Sequence, residues 1–131
     1  MNRIRVGIVG LGANTRLRHV PGLLEQDDVE ISAVVNRTRE SSERTAAEYG
    51  IRLVCDSWQE LVSSDEVDAV VIGTWPYMHC EITLAALEAG KHVLTEARMA
   101  MNLEQAEAMY QASQQRPELV TQIVPSMLMP L

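Results

Sequence analysis

Apolar residues in this chain fall into short strand-sized runs, separated by polar-capped segments with helical spacing. Residues 3–9, with Ile4, Val6, Ile8 and Val9, read as a first strand, and residues 14–26 as a helix containing Pro21 and Gly22. That proline either opens the helix proper or kinks it. A second strand is expected over 30–35. Thr38 then caps a helix over 39–49, which Gly50 closes. A short strand over 53–55 leads into Ser57-Trp58-Gln59-Glu60, a capping box for a helix to about Ser63. Residues 69–72 are continuously apolar, as in a strand covered on both faces. A helix over 78–89 stops at Gly90, a fifth strand spans 92–95, and Asn102 with Gln105 opens a helix to about Gln115. A sixth strand spans 119–124. Six strands alternating with helical crossovers predict the α/β class, with a doubly wound parallel sheet.

At the first strand–helix junction stands Gly10-Leu11-Gly12-Ala13-Asn14-Thr15. The first glycine allows a tight turn. The second leaves room for backbone N–H groups to approach a pyrophosphate at a helix start. Gly10, Gly12, Ala13, Asn14 and Thr15 are therefore candidate cofactor contacts, Asn14 or Thr15 adding a side-chain hydrogen bond. The third small position is Thr15, so the dinucleotide fingerprint is incomplete, and an ordinary βα turn carries the same glycines.

A carboxylate roughly 20 positions past the glycines ordinarily binds the ribose 2′-hydroxyl of NAD. Here that place reads Val35-Asn36-Arg37-Thr38-Arg39. No acid repels a 2′-phosphate and two guanidiniums are at hand, so Asn36 and Arg37 point to NADP, with NAD the alternative. Thr74-Trp75-Pro76-Tyr77-Met78-His79 follows the fourth strand, where ligands of such sheets bind. Thr74, Trp75, Pro76 and His79 join the candidates. Trp75 or Tyr77 is suited to the nicotinamide-ribose side, and His79 to a cap or packing role at the helix start. His19 and His92 suggest no partner, and no spacing of His, Cys and acids suggests a metal.

Composition narrows the function classes. The 131 residues suffice for one domain, and 47% hydrophobic with 22% charged residues reads as globular. A net charge of −7 argues against general binding to nucleic acid or anionic membrane. No apolar run is long enough to span a bilayer, and the strand pattern begins at Arg3, with no room for a signal peptide. Cys55 and Cys80 are isolated and read as reduced thiols of a cytoplasmic protein.

The chain resembles the N-terminal domain of the glucose–fructose oxidoreductase / inositol dehydrogenase / rhizopine-catabolism (Gfo/Idh/MocA) family. The resemblance covers nearly the whole chain. It rests on Val6-Gly7-Ile8-Val9-Gly10-Leu11-Gly12, on Asp68-Ala69-Val70-Val71-Ile72-Gly73-Thr74, and on Pro76 with His79. Most of all it rests on Ala85-Ala86-Leu87-Glu88-Ala89-Gly90-Lys91-His92-Val93-Leu94-Thr95-Glu96. It implies an NAD(P)-binding Rossmann domain over residues 1–124, with residues 125–131 as an exit segment toward a second domain that carries much of the substrate site. Glu96 is then expected to face the nicotinamide ribose. The family typically reads Glu-Lys-Pro where this chain reads Glu96-Ala97-Arg98. Ala97 has no side-chain donor, and Arg98 is a poor general acid or base.

Three functions compete. The first is the nucleotide-binding domain of a nicotinamide-dependent oxidoreductase acting on a sugar or polyol, catalytically incomplete as it stands. The second is a non-catalytic NADP(H)-binding or accessory module, motivated by Ala97. The third is an interaction domain with an empty cleft, motivated by the β-branched Thr15. With the second domain absent, its docking face would be an exposed apolar patch, and a homodimer is expected.

Overall fold

In the computed structural model, residues 3–12, 20–96 and 98–124 are described. Six strands form one parallel sheet: β1 (Ile4–Val9), β2 (Val29–Val35), β3 (Leu53–Val54), β4 (Ala69–Ile72), β5 (His92–Thr95) and β6 (Thr121–Ile123). Their order is β3-β2-β1-β4-β5-β6. The helices are α1 (Val20–Leu24), α2 (Arg39–Tyr49), α3 (Trp58–Val62), α4 (His79–Glu88) and α5 (Leu103–Gln115). Pro21 and Gly22 lie within α1, while the expected helix start at 14 falls outside the described residues.

The caps read from the sequence do their expected work, with one shift. The Thr38, Ser57 and Asn102 side chains accept from the backbone N–H three residues on. The reciprocal partners Glu60 and Gln105 reach one residue further back, to the N–H groups of Asp56 and Met101. Gly50 and Gly90 take left-handed conformations after α2 and α4, where a side chain would cost energy.

Two hydrophobic layers sandwich the sheet. Val6, Ile8, Val34 and Val71 pack with Val20 of α1 and Ala46 of α2. Val9, Val35, Val70 and Ile72 pack with Leu61 of α3 and Ile82 and Leu87 of α4 on the other face. At Gly7 helix α3 comes so close that a Cβ would meet Leu61 Cδ2 at 2.7 Å. Beside it the register of β1 against β2 slips, Val6 facing Ile31 and Gly7 facing Ala33. Ser32 is the extra residue of this bulge. It is fully buried, and its hydroxyl donates to the Glu66 carbonyl (2.8 Å), which settles the polar group. The bulge puts Ile31 and Ala33 in opposite layers, although an unbroken strand would place both on one face.

The topological switch lies between β1 and β4, whose crossovers leave in opposite directions. At the far, amino end of the sheet Arg5 forks onto Asp68 (3.0 and 3.1 Å), and that guanidinium holds the Asp68 carboxyl below the usual carboxylate range.

Candidate functional site

The carboxyl ends of β1, β2, β3 and β4 open into a cleft of about 670 Å³. Its floor begins at the glycine turn. Gly10 has φ of 81° and its N–H donates to the Val35 carbonyl (2.8 Å). A Cβ on Gly10 would stand 2.9 Å from the Thr74 backbone nitrogen, so this glycine is required twice, by conformation and by contact. Gly12 differs. Among the described residues nothing lies within 4 Å of where its Cβ would be, and Gly12 lines the cleft. Ala13, Asn14 and Thr15 lie outside the described residues.

Asn36 follows β2 and lines the cleft, yet its side chain serves the protein. Its Oδ1 accepts from Leu11 N–H (2.8 Å), and its Nδ2 donates to the hydroxyls of Ser41 and Thr45 (both 3.1 Å). Its own N–H donates to the Ser42 hydroxyl (2.8 Å). Asn36 thus ties the glycine turn to α2, and this engagement makes it a positioning residue. The sequence offered no sign of which way the amide turns.

The two guanidiniums after β2 part company. Arg37 lines the cleft, is exposed, and has no ion pair among the described residues. Arg39 donates from Nε to Glu43 (2.9 Å) and from Nη1 to Asp56 (2.5 Å), and these two carboxylates, Glu43 first, raise its pKa further.

Asp56, Ser57, Trp58 and Gln59 form the wall beside Arg37, and sequence reasoning had missed their part in the site. The signal was present: they follow a strand at the carboxyl edge, where loops of such sheets meet ligands. Trp58 lines the cleft and also packs against the core, which holds its ring in place. Adjacent Cys55 is buried, and desolvation pushes its thiol up to about 11, so it is chemically quiet at neutral pH.

The opposite wall comes from the loop after β4. Thr74, Trp75, Tyr77 and Met78 line the cleft, Trp75 and Tyr77 being largely exposed. Pro76 opens a 3-10 turn, Pro76–Met78, and does not line the cleft. His79 does not line it either. It is fully buried, with Nε2 2.8 Å from the Thr74 carbonyl and Nδ1 2.7 Å from the Arg98 carbonyl. The packing role expected for His79 is the one the geometry fits, because the ring joins the loops after β4 and β5. Glu96 follows β5, its N–H donating to the Ile72 carbonyl (3.1 Å), and is half-buried outside the cleft lining. Ala97 lies outside the described residues.

The long block at the end of α4 is scaffold. Lys91 Nζ donates to the Ser64 and Val67 carbonyls (2.7 and 2.6 Å), and His92 Nδ1 accepts from Val120 N–H (2.9 Å). His92, which had no evident partner in the sequence, therefore helps hold β6.

The cleft presents aromatic walls at two ends, a bare glycine between them, and on one rim a guanidinium with no ion pair among the described residues. Such a trough suits an elongated ligand with flat rings and anionic groups.

Residues 4–123 match the Gfo/Idh/MocA model, described as an oxidoreductase family with an NAD-binding Rossmann fold. The chain is 36% identical over 112 residues to 4-carboxy-2-hydroxymuconate-6-semialdehyde dehydrogenase of Sphingobium, covering 86% of this chain and 35% of that protein. It is 39% identical over 106 residues to 1,5-anhydro-D-fructose reductase of Ensifer adhaerens, covering 80% and 32%. Among solved structures it is similar to KijD10, a 3-ketoreductase from Actinomadura kijaniata in complex with NADP and TDP-benzene. The TM-score is 0.84 at 30% identity, covering 92% of this chain and 37% of that one. The chain spans about a third of the length of the curated relatives it matches. With the sheet order, the glycine turn and the cleft all in agreement, the chain belongs to the Gfo/Idh/MocA oxidoreductase family and carries its NAD(P)-binding Rossmann domain.

Proposed function

We propose that this chain is the cofactor-binding part of a nicotinamide-dependent oxidoreductase that prefers NADP and acts on a sugar or polyol. Residues 1–124 are the binding domain and 125–131 lead out of it. The observation that carries the cofactor preference is Arg37: an exposed guanidinium on the cleft rim with no ion pair among the described residues, and no carboxylate at the end of β2. A 2′-phosphate would find a charge-assisted donor there, whereas the end of β2 lacks the acid that ordinarily binds a ribose 2′-hydroxyl.

The cleft lining supports a cofactor laid along it. Trp58 and Arg37 receive the adenosine side. The glycine turn at Gly12 receives the pyrophosphate, and Ala13, Asn14 and Thr15 are candidates there from the sequence alone. Thr74 and Trp75 receive the nicotinamide side, with Glu96, outside the cleft lining, its neighbour at the end of β5. Bound nicotinamide supplies or accepts the hydride, and these residues bind and orient it. The names of the relatives support a carbonyl or hydroxyl substrate of sugar type, 1,5-anhydro-D-fructose among them. The lysine expected from the family resemblance is Ala97 here, whose side chain can donate no proton, and its neighbour Arg98 is a poor general acid. That supports catalytic incompleteness of this chain taken alone. It also favours a second reading, an NADP(H)-binding accessory module. A homodimer formed through the half-covered face of β5 and β6 belongs to the same proposal.

Titration of NADPH and NADH against the purified protein tests the cofactor assignment. NADPH should bind at least about tenfold more tightly, a difference of about 1.4 kcal/mol. Arg37→Asp should reverse that order. Gly12→Ala should weaken both nucleotides while leaving the melting temperature unchanged, because no described residue stands within 4 Å of the added methyl. Equal affinities for the two nucleotides in the unaltered protein would overturn the NADP assignment.

A further inference from the structure

Arg39 and Asp56 form a contact that the assignment of Arg37 does not use. Asp56 lines the cleft on the same rim as Arg37. Among the described residues it is the one acidic side chain in that lining, and it is well exposed (74%). A bare carboxylate there would oppose any phosphate that Arg37 attracts, and would offer Arg37 an internal partner instead. Arg39, the first residue of α2, reaches across to place Nη1 2.5 Å from Asp56 Oδ1. Its Nε is held by Glu43 at 2.9 Å, which aims the guanidinium at the β3 loop. The other nearby acid, Glu60, is turned to the Asp56 backbone N–H (3.4 Å).

We infer that Arg39 is a specificity-determining positioning residue: by pairing with Asp56 it cancels the one negative charge on the cleft wall and leaves Arg37 free for a ligand phosphate. The inference rests on the NADP reading of the same cleft. It assigns Arg39 no contact with the cofactor. Its effect is carried by what Asp56 does when unpaired: the freed carboxylate repels the 2′-phosphate or captures Arg37, and both disfavour NADP(H) over NAD(H).

A double-mutant cycle separates this from the alternatives. NADPH and NADH dissociation constants are measured for the unaltered protein, Arg39→Ala, Asp56→Asn, and the two combined. Thermal melts confirm folding, which an exposed pair should hardly affect. Arg39→Ala should lower the NADPH preference about tenfold. Asp56→Asn should keep or raise it. The double variant should recover the original preference to within about threefold, because the charge that Arg39 neutralised is gone. If the double variant stays as low as Arg39→Ala, Arg39 touches the phosphate directly and the inference falls. If Arg39→Ala leaves the preference unchanged while the parent still prefers NADPH, the inference falls and the NADP reading stands. If the parent shows no preference, the NADP reading falls and takes the inference with it.

Discussion

In β1 and β2 every residue from Val6 to Val9 and from Ile31 to Val35 is buried, whereas Thr121, Gln122 and Ile123 of β6 are all exposed, though the strands share one parallel sheet. The cause is how many layers cover each. Helices α1 and α2 lie on one face of β1 and β2, and α3 and α4 on the other. On β5 only alternate residues, Val93 and Thr95, are buried, facing α4, while His92 and Leu94 are half-exposed. The cleft opens at the carboxyl ends of the closed half. A binding site needs its first contacts held by packing and hydrogen bonds, and that half provides both through Gly10, Asn36 and Trp58.

The sharpest way to break the closed half is Gly10→Ala. A methyl at φ 81°, 2.9 Å from the Thr74 nitrogen, has strain and overlap to resolve, and the neighbour is backbone. A loss of about 3 kcal/mol or more is expected by chemical denaturation. A variant as stable as the parent would show that the turn can relax. Asn36→Ala comes next. It strips the acceptor from Leu11 N–H and the donor from Ser41 and Thr45, and should cost about 2 kcal/mol. Nucleotide affinity should fall with it, and Asn36→Asp should restore the bond to Leu11 only. The smallest effect belongs to the open half. His92→Ala removes one acceptor from Val120 N–H at the edge, worth about 1 kcal/mol or less. Hydrogen exchange should quicken at Val120 and in β6 and stay unchanged in β1. Equal acceleration in both halves would mean that the sheet opens as one unit and that the contrast drawn here has no dynamic counterpart.

Much of the element plan was legible in the sequence because its signals are local. The caps at Thr38, Ser57 and Asn102 and the stops at Gly50 and Gly90 depend on residues within a turn of each other, and the structure has them where the sequence places them. The expected sixth strand over 119–124 is trimmed to Thr121–Ile123, and the third to Leu53–Val54, since an end residue joins a ladder only where its neighbour extends equally far. The bulge at Ser32 was not legible, because it depends on α3 pressing on Gly7 from another part of the chain.

The candidate site was legible in part for the same reason. Gly10, Gly12, Asn36, Arg37, Thr74 and Trp75 do meet in one cleft, as strand-end residues of neighbouring strands must. Asp56 and Trp58 were missed since nothing near them in sequence resembles a ligand signature. Asn36 and Arg37, adjacent in the chain, have opposite duties. Alternation of side chains sends one toward the glycine turn and the other to the rim, and only the position of α2 decides which is which.

By itself the sequence determined the order and type of the elements, their caps, and the presence of a glycine turn suited to a dinucleotide. Those follow from periodicity and backbone conformation, which act over a few residues. The tertiary structure alone decided that, among the described residues, Arg37 has no ion pair while Arg39 is paired with Asp56, that His79 is a buried clip between two loops, and that Gly10 is crowded by backbone whereas Gly12 has no described neighbour at its Cβ position. Each of these depends on which distant segments the sheet order brings together, and charge, burial and free space are properties of that meeting.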